Sequence, residues 1–503
     1  MDEKPKVEKV GAVEYEHVGT EYFKERELTR RAGVLLIWGL GVGYVISGEY
    51  FSWNFGFAGG GFGGMLFATF LAIAMYVCMV YSISEMATAF PVTGGPYAFA
   101  RRTMGVWGGF ATGIGAILEY VLATSTLAVA IAINITLLPP FDDLPSILGL
   151  DPIEWLAVLV YAVFVAVNLL GVQATLTSVF VITVISVAML LVWGLVMLLS
   201  GDWAASNFTN IPPEAGQSEF FPFGAFKGIM LALPFAFWFY LAIEGVPLAA
   251  EETRDPSNDL PKGSIRAMWS LVFFSAVAFF VAGGVLGAEG LAGAGAPIAE
   301  TVNASMGENF FYWLVIVVGI TGFVASFHSI IFAFSRIIYA LSRAGYLPRA
   351  LSLTSSRKAP YLAIIIPAIL GLITVIIFNR QDPANALLVL TEMSVFGALT
   401  TYVLMMIAFI ILRRKEPNVQ RPYRSPVGIA GAVVALVIAL VAAIAQLGYD
   451  LAGARAGVLA VVGALAVGFL YFGLYSRHRL VAEAPEEEFA VIEKAEAEIE
   501  TGA

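Results

Sequence analysis

Three glutamates and one histidine stand in stretches otherwise built of apolar residues. Glu49 lies in "YVISGEYFSW" (44–53), Glu119 in "AILEYVLATST" (116–126), Glu244 in "FAFWFYLAIEGVP" (235–247) and His328 in "ASFHSIIF" (325–332). A carboxylate in an apolar span is opposed by a few kcal/mol or more, so it marks a cation site or a proton relay unless it is protonated and only packs helices. A histidine there titrates near neutral pH and is a candidate to carry a coupling proton, or else it hydrogen-bonds between helices. Enzymatic chemistry is not indicated. The three histidines (17, 328 and 478) are not clustered, the one cysteine, Cys78, has no partner in the chain, and "GGGFGG" (59–64) lacks the lysine of a phosphate loop. No metal site, cofactor or nucleic-acid partner is expected.

Hydrophobic residues make up 59% and charged residues 13% of 503 positions, too little polar surface to coat a soluble globule of this size. The chain reads as an all-α polytopic membrane protein. Spans of about 20 residues suit the hydrocarbon thickness, and twelve are expected at 32–56, 63–90, 107–138, 153–170, 174–200, 226–250, 265–287, 310–343, 361–378, 386–412, 427–447 and 456–475. An even number puts both termini on one side. That side holds 24 of the 28 lysines and arginines, against Lys227, Arg380 and Arg455 on the other and Arg336 within a span. The positive-inside rule makes the terminal side cytoplasmic, in a cell (inner) membrane. The charged first 30 residues carry no cleavable signal, and "EAPEEEFAVIEKAEAEIE" (483–500) reads as a solvated acidic tail.

Two spans are interrupted. The first carries "GLGVGYVISGEY" (39–50), and the sixth carries Pro234, Gly245 and Pro247. Their starts are about 195 residues apart, and each opens a set of five spans. Matching interruptions in two halves point to an inverted-repeat transporter with a midplane site lined by half-helix ends. The expected organisation is a cytoplasmic segment 1–30, a first repeat 31–200, a second repeat 226–412, two further helices in 427–475 and a cytoplasmic tail 476–503.

Three stretches, "SEMATAFPVTGGPYAFARRTMG" (84–105), "FAFWFYLAIEGVPLAAEETRDPSNDLPKG" (235–263) and "FSRIIYALSRAGYLPRALS" (334–352), resemble the amino acid–polyamine–organocation permease superfamily across roughly residues 30–475. "YVISGEYFSWNFGFAGGG" together with the 84–105 motif is most similar to its bacterial ethanolamine permease branch. The resemblance implies a LeuT-like fold of twelve helices, five plus five inverted, with the first and sixth broken, working by alternating access. It places Ser47 and Gly48 where relatives receive a substrate carboxylate on backbone amides, and Trp238, with Phe237, Tyr240 and Leu241 beside it, at an aromatic gate. Glu244 falls where the family has a protonation or gating glutamate; a helix cap is the plainer reading. Glu85, Glu251 and Glu252 fall in inner-face motifs, and Glu392 and Arg336 are expected in inner-face networks. No lysine stands in 174–200 to act as an internal cation.

Glu49 departs from the family pattern, setting a fixed carboxylate at the anion-friendly end of the break, where the amides of the second half-helix face the cavity. Two like charges about 4 Å apart repel by about 4 kcal/mol at an effective dielectric near 20, several hundred-fold in affinity. A substrate with its own carboxylate is thus disfavoured, and a small amino alcohol fits, its hydroxyl able to donate to Glu49 and its ammonium recognised by the cavity carboxylates Glu49 and Glu119 together with first- and sixth-helix carbonyls. The expected function is import of ethanolamine. The alternatives are a permease for choline, a polyamine or a cationic amino acid, and, from another class, a channel or membrane sensor.

Overall fold

A computed structural model describes residues 7–26, 28–451, 453–485 and 487. The first span is in pieces: α2 (Val34–Val45) and α3 (Ser47–Tyr50) approach from the face that carries the termini, and the chain then breaks. Phe51 is extended and Ser52 takes a φ of 75° before a 3-10 turn at Trp53–Phe55. The helix that follows, α4 (Gly56–Ala89), kinks at Gly61, whose φ of 58° and ψ of −168° suit a residue without Cβ. A Cβ there would also strike the Pro222 ring. The "GGGFGG" run lies at this kink beneath the 201–224 loop, whose Phe220 carbonyl accepts from Gly63 N–H at 2.8 Å.

The remaining spans are α5 (Gly95–Thr136, kinked at Gly105), α6 (Pro152–Leu169), α7 (Val172–Leu199), α8 (Ala225–Trp238) with the 3-10 segment Ile243–Glu252, α9 (Pro256–Gly293), α11 (Phe310–Arg343), α12 (Tyr361–Gln381), α13 (Ala386–Lys415), α14 (Gly428–Gly448) and α15 (Arg455–Leu474). Among the described residues eleven spans are long and apolar enough to cross a bilayer, and the shorter apolar α2 supplies the twelfth. Local chemistry sets several ends. Asp151 and Glu154 form a reciprocal capping box at the start of α6, with Pro152 in its first turn.

Burial separates the centre from the rim. The apolar windows of the α5 span and of the span from Ala225 to Glu252 are 83% and 89% buried, against 22% in the last span. The last span presents Leu470 and Leu474 outward, as a helix against lipid should. The glycines of α2 serve this close packing. A Cβ at Gly41 would lie 2.8 Å from the Ala267 Cβ of α9, and one at Gly43 would lie 2.9 Å from Ser329 Oγ of α11.

Elements outside the spans are a short helix α1 (Thr20–Lys24), a helix α10 (Pro297–Met306) in the loop after α9, and a small sheet. Hairpin strands β1 (Val7–Val10) and β2 (Val13–Glu16) pair antiparallel, and β2 pairs parallel with β3 (Leu480–Val481), tying the two ends of the chain together. The tail does not read as wholly solvated. Glu487 is fully buried, receives Arg101 Nη2 at 2.6 Å and Nε at 2.9 Å, and accepts from the hydroxyls of Tyr346 and Tyr15 at 3.0 and 3.2 Å. The rest of the acidic tail, from residue 488, lies outside the described residues.

The terminus-bearing face is knitted by buried ion pairs: Arg336 to Glu252 at 2.7 Å, Arg343 to Glu251 at 2.7 Å, and Arg413 and Arg421 to Glu85 at 2.5 and 3.0 Å. Glu392 is a correction. It lies near the start of α13 and bonds Gln446 near the end of α14, toward the opposite face, because α13 follows the end of α12 that carries Arg380.

Candidate substrate and coupling site

Both breaks fall at the same depth of their spans, and both pass through a left-handed residue that is not glycine: Ser52 (φ 75°) and Ala242 (φ 74°). Sparsely populated backbone of this kind persists where surrounding structure fixes it, commonly at functional sites. At the first break Ser52 Oγ shares a hydrogen bond of 2.8 Å with Thr391 Oγ1. At the second, Ala242 N–H donates to the Tyr402 hydroxyl at 3.4 Å. The two breaks touch, since a Cβ on Gly48 would run into the Trp238 carbonyl and lie 3.2 Å from Phe239 Cα.

Glu49 does not sit where the sequence places it. The first half-helix continues through Ser47–Tyr50, with Glu49 N–H donating to Ile46 O at 3.2 Å and Phe51 N–H to Ser47 O at 3.2 Å. Glu49 therefore occupies the last turn of the first half-helix, the carbonyl-rich, cation-attracting end, and not the amide end of the second. Ser47 N–H is itself taken by Ser326 Oγ at 3.0 Å. The amides of 47 and 49 are thus not free for a carboxylate.

The Glu49 side chain is fully buried and neither of its carboxylate oxygens has a hydrogen-bond partner among the described residues. Its surroundings are aromatic. Its carbonyl accepts from Trp53 Nε1 at 3.3 Å, Trp53 stacks on Phe239 at 5.1 Å, and Phe51 meets Trp238 edge-on at 5.7 Å. Trp238 Nε1 is likewise buried and unpartnered. Tyr240 bonds Ser275 at 2.5 Å, Phe237 packs on Tyr76 at 5.6 Å, and Leu241 is buried beside them. Everything at the breaks is closed over, which is the arrangement of an occluded site.

Glu119 and Glu244 are brought together, apart from Glu49. The Tyr402 hydroxyl lies 3.1 Å from Glu119 Oε1 and 2.8 Å from Glu244 Oε2, and Tyr120 donates to Glu244 Oε1 at 2.7 Å. Tyr402 has one proton and two carboxylates to serve, while the Ala242 N–H already occupies one side of its oxygen. No lysine or arginine of the described residues bonds Glu119, Glu244 or Glu49. Glu119 Oε2 has no hydrogen-bond partner among the described residues, so the two carboxyls have room for a proton of their own. Glu244 stands in the first turn of the 3-10 segment Ile243–Glu252, with both carboxylate oxygens engaged by tyrosine hydroxyls. Tyr76 joins the two groups, its ring 5.4 Å from Tyr240 and 5.5 Å from Tyr402.

His328 stands elsewhere. Asn168 Nδ2 donates to its Nδ1 at 2.8 Å, and its Nε2 meets Ser178 Oγ at 2.8 Å, so its partners lie on α6 and α7 and not among the carboxylates. Sequence reasoning missed Tyr402, Tyr120, Tyr76 and Trp53. The available signal was a tyrosine or tryptophan inside an apolar span, whose polar tip needs a buried partner.

The amino acid permease family model matches residues 34–482. An uncharacterized transporter of Rhizobium meliloti (strain 1021) is 28% identical over 416 residues, 82% of this chain and 85% of that protein. The branched-chain amino acid permease BcaP of Bacillus subtilis (strain 168) is 27% identical over 420 residues, 80% of this chain and 85% of that protein. The methylthioribose transporter of the same strain is 24% identical over 471 residues, 90% of this chain and 95% of that protein.

Proposed function

The chain belongs to the amino acid permease family, and from that premise we propose that it imports a small amino alcohol cation, ethanolamine, by alternating access. It is a secondary transporter of amino acids or related organic molecules, not an enzyme. The observation that carries the finer reading is Glu49. A buried carboxylate with both oxygens unpartnered, at the negative end of a half-helix and among aromatic rings, calls for a cation. The same carboxylate repels an amino acid's own, and the amides of Ser47 and Glu49 are already engaged. Ethanolamine supplies the ammonium, lacks the carboxylate and is small enough for a closed site. Trp238 closes over it from the second break, with Phe237, Tyr240 and Leu241 packing behind.

Coupling belongs to Glu119 and Glu244. The pair holds one proton through Tyr402, at the break that must move when the site changes face. The protein works in the cell (inner) membrane with both termini cytoplasmic, the orientation supported by the lysine and arginine distribution.

The test is a panel on purified protein: ethanolamine, choline, putrescine, glycine, alanine, arginine and leucine. Ethanolamine should bind most tightly and drive counterflow of labelled ethanolamine, as a carrier does and a channel does not. Tighter binding of leucine would favour the second reading, an amino acid permease like BcaP.

A further inference from the structure

Among the exposed cations on the terminus-bearing face without a hydrogen-bonded or acidic partner among the described residues, five lie close in the fold: Arg30, Arg31, Arg254, Lys262 and Arg266. This contrasts with Arg101, Arg336, Arg343, Arg413 and Arg421 on the same face, each held by a glutamate. The five are gathered by backbone. Arg31 N–H donates to Glu252 O at 2.7 Å, Arg254 N–H donates to Ala32 O at 2.8 Å, and Ala32 bridges Thr253. Next to them α2 and α9 run parallel in close contact, a Cβ on Gly263 falling 3.2 Å from Trp38 N. Lys262 and Arg266 are one turn apart on α9.

From this cluster a groove of about 670 Å³ runs between α2 and α9, lined by Leu35 and Trp38 on one wall and Arg266, Trp269, Ser270 and Phe273 on the other. Leu35, Trp269 and Phe273 are half or more exposed, as chain-facing residues are. Trp38 donates to Ser270 Oγ and Trp269 to the Tyr81 hydroxyl, each at 3.2 Å, the posture of indoles at the boundary between headgroups and hydrocarbon. Asp255 and Asp259 are the nearby carboxylates on α9; neither pairs with Lys262 or Arg266, and the cations outnumber them.

We propose that this is a binding site for an anionic phospholipid of the leaflet on the side of the termini. Its phosphate sits among Lys262, Arg266 and the Arg30–Arg31–Arg254 group, and one acyl chain lies in the α2–α9 groove. The match is of charge to charge and of an apolar trough to a chain; zwitterionic lipid fits the trough equally but gains nothing from the cations. Because α2 is the first half-helix of the transport site, a lipid bridging α2 and α9 would hold the occluded arrangement. The inference rests on the spans lying in a bilayer, not on the identity of the substrate.

The full chain, reconstituted in phosphatidylcholine nanodiscs, is titrated with phosphatidylglycerol or further phosphatidylcholine carrying brominated chains, which quench nearby tryptophan. The brominated phosphatidylglycerol should quench at a mole fraction at least about 30-fold lower. Trp38→Phe/Trp269→Phe should lose that extra quenching, and Lys262→Gln/Arg266→Gln should lower the preference about 30-fold, equivalent to about 1 kcal/mol for each cation. Both residues of the latter variant are exposed, and an unchanged melting temperature of the purified variant verifies that it folds. Equal quenching by the two lipids, a preference untouched in Lys262→Gln/Arg266→Gln, or full displacement of the lipid by inorganic phosphate would each overturn the proposal.

Discussion

Replacing Glu244 by Gln should uncouple transport while leaving the carrier able to exchange. The native carboxylate receives Tyr120 at 2.7 Å and Tyr402 at 2.8 Å, and Tyr402 also reaches Glu119 at 3.1 Å. A glutamine keeps the shape and an oxygen for one hydroxyl, and its amide can donate to Glu119, so the cluster stays satisfied without an exchangeable proton. On the proposed coupling, in which the pair carries a single proton, one proton accompanies each substrate. With the membrane potential clamped at zero, an inward gradient of one pH unit is worth about 1.4 kcal/mol, a tenfold accumulation of labelled ethanolamine. Proteoliposomes of the native protein should approach that ratio. Glu244→Gln should equilibrate at a ratio near one, yet retain counterflow at a rate within about tenfold of native. Undiminished accumulation by Glu244→Gln, or no proton-driven accumulation by the native protein, would refute the coupling role of the pair.

Trp238→Ala should weaken ethanolamine binding by about 0.5–2 kcal/mol if its face closes on the ammonium, and calorimetric titration checks it; unchanged affinity removes Trp238 from the site. Glu487→Gln should lower the thermal stability of the purified protein sharply, by about 3–5 kcal/mol, because it leaves Arg101 buried beside a neutral partner. An unshifted melting temperature would mean that the tail does not dock as described. Cysteine at exposed Ser218 should react with an impermeant maleimide on intact cells, and cysteine at exposed Ser356 should not; the opposite pattern reverses the orientation.

The spans were legible because hydrocarbon demands length and apolarity, and both are counted directly from residues. The breaks were legible only in outline. Glycines at 39, 41 and 43 suggest unwinding, yet α2 runs straight through them: Gly39 makes room for Phe180, Gly41 for Ala267 and Gly43 for Ser329. The true break is at Phe51–Ser52, where serine carries the positive φ, a conformation that composition does not announce. Glu119 and Glu244 stand out as acids in apolar runs, but their union depends on Tyr402, more than 150 residues beyond either, and tertiary partners of that kind leave no periodicity to read. Glu487 was hidden for the opposite reason. An acidic run looks solvated, and only the fold shows that Arg101 and a set of tyrosine hydroxyls wait for one of its members.

The most direct measurement of the central claim is the ratio of ethanolamine to glycine affinity on folded native and Glu49→Gln protein. If the buried, unpartnered carboxylate is the ammonium's counter-ion, the substitution removes one partner of a desolvated charge pair, a loss of about 2–5 kcal/mol for ethanolamine. Glycine at the same time loses the repulsion that its carboxylate meets in the native site. The preference should therefore shift by at least 30-fold toward glycine. A Glu49→Gln protein that binds both ligands more weakly but in the native ratio would contradict the account, leaving Glu49 a packing residue and the substrate class to be sought elsewhere.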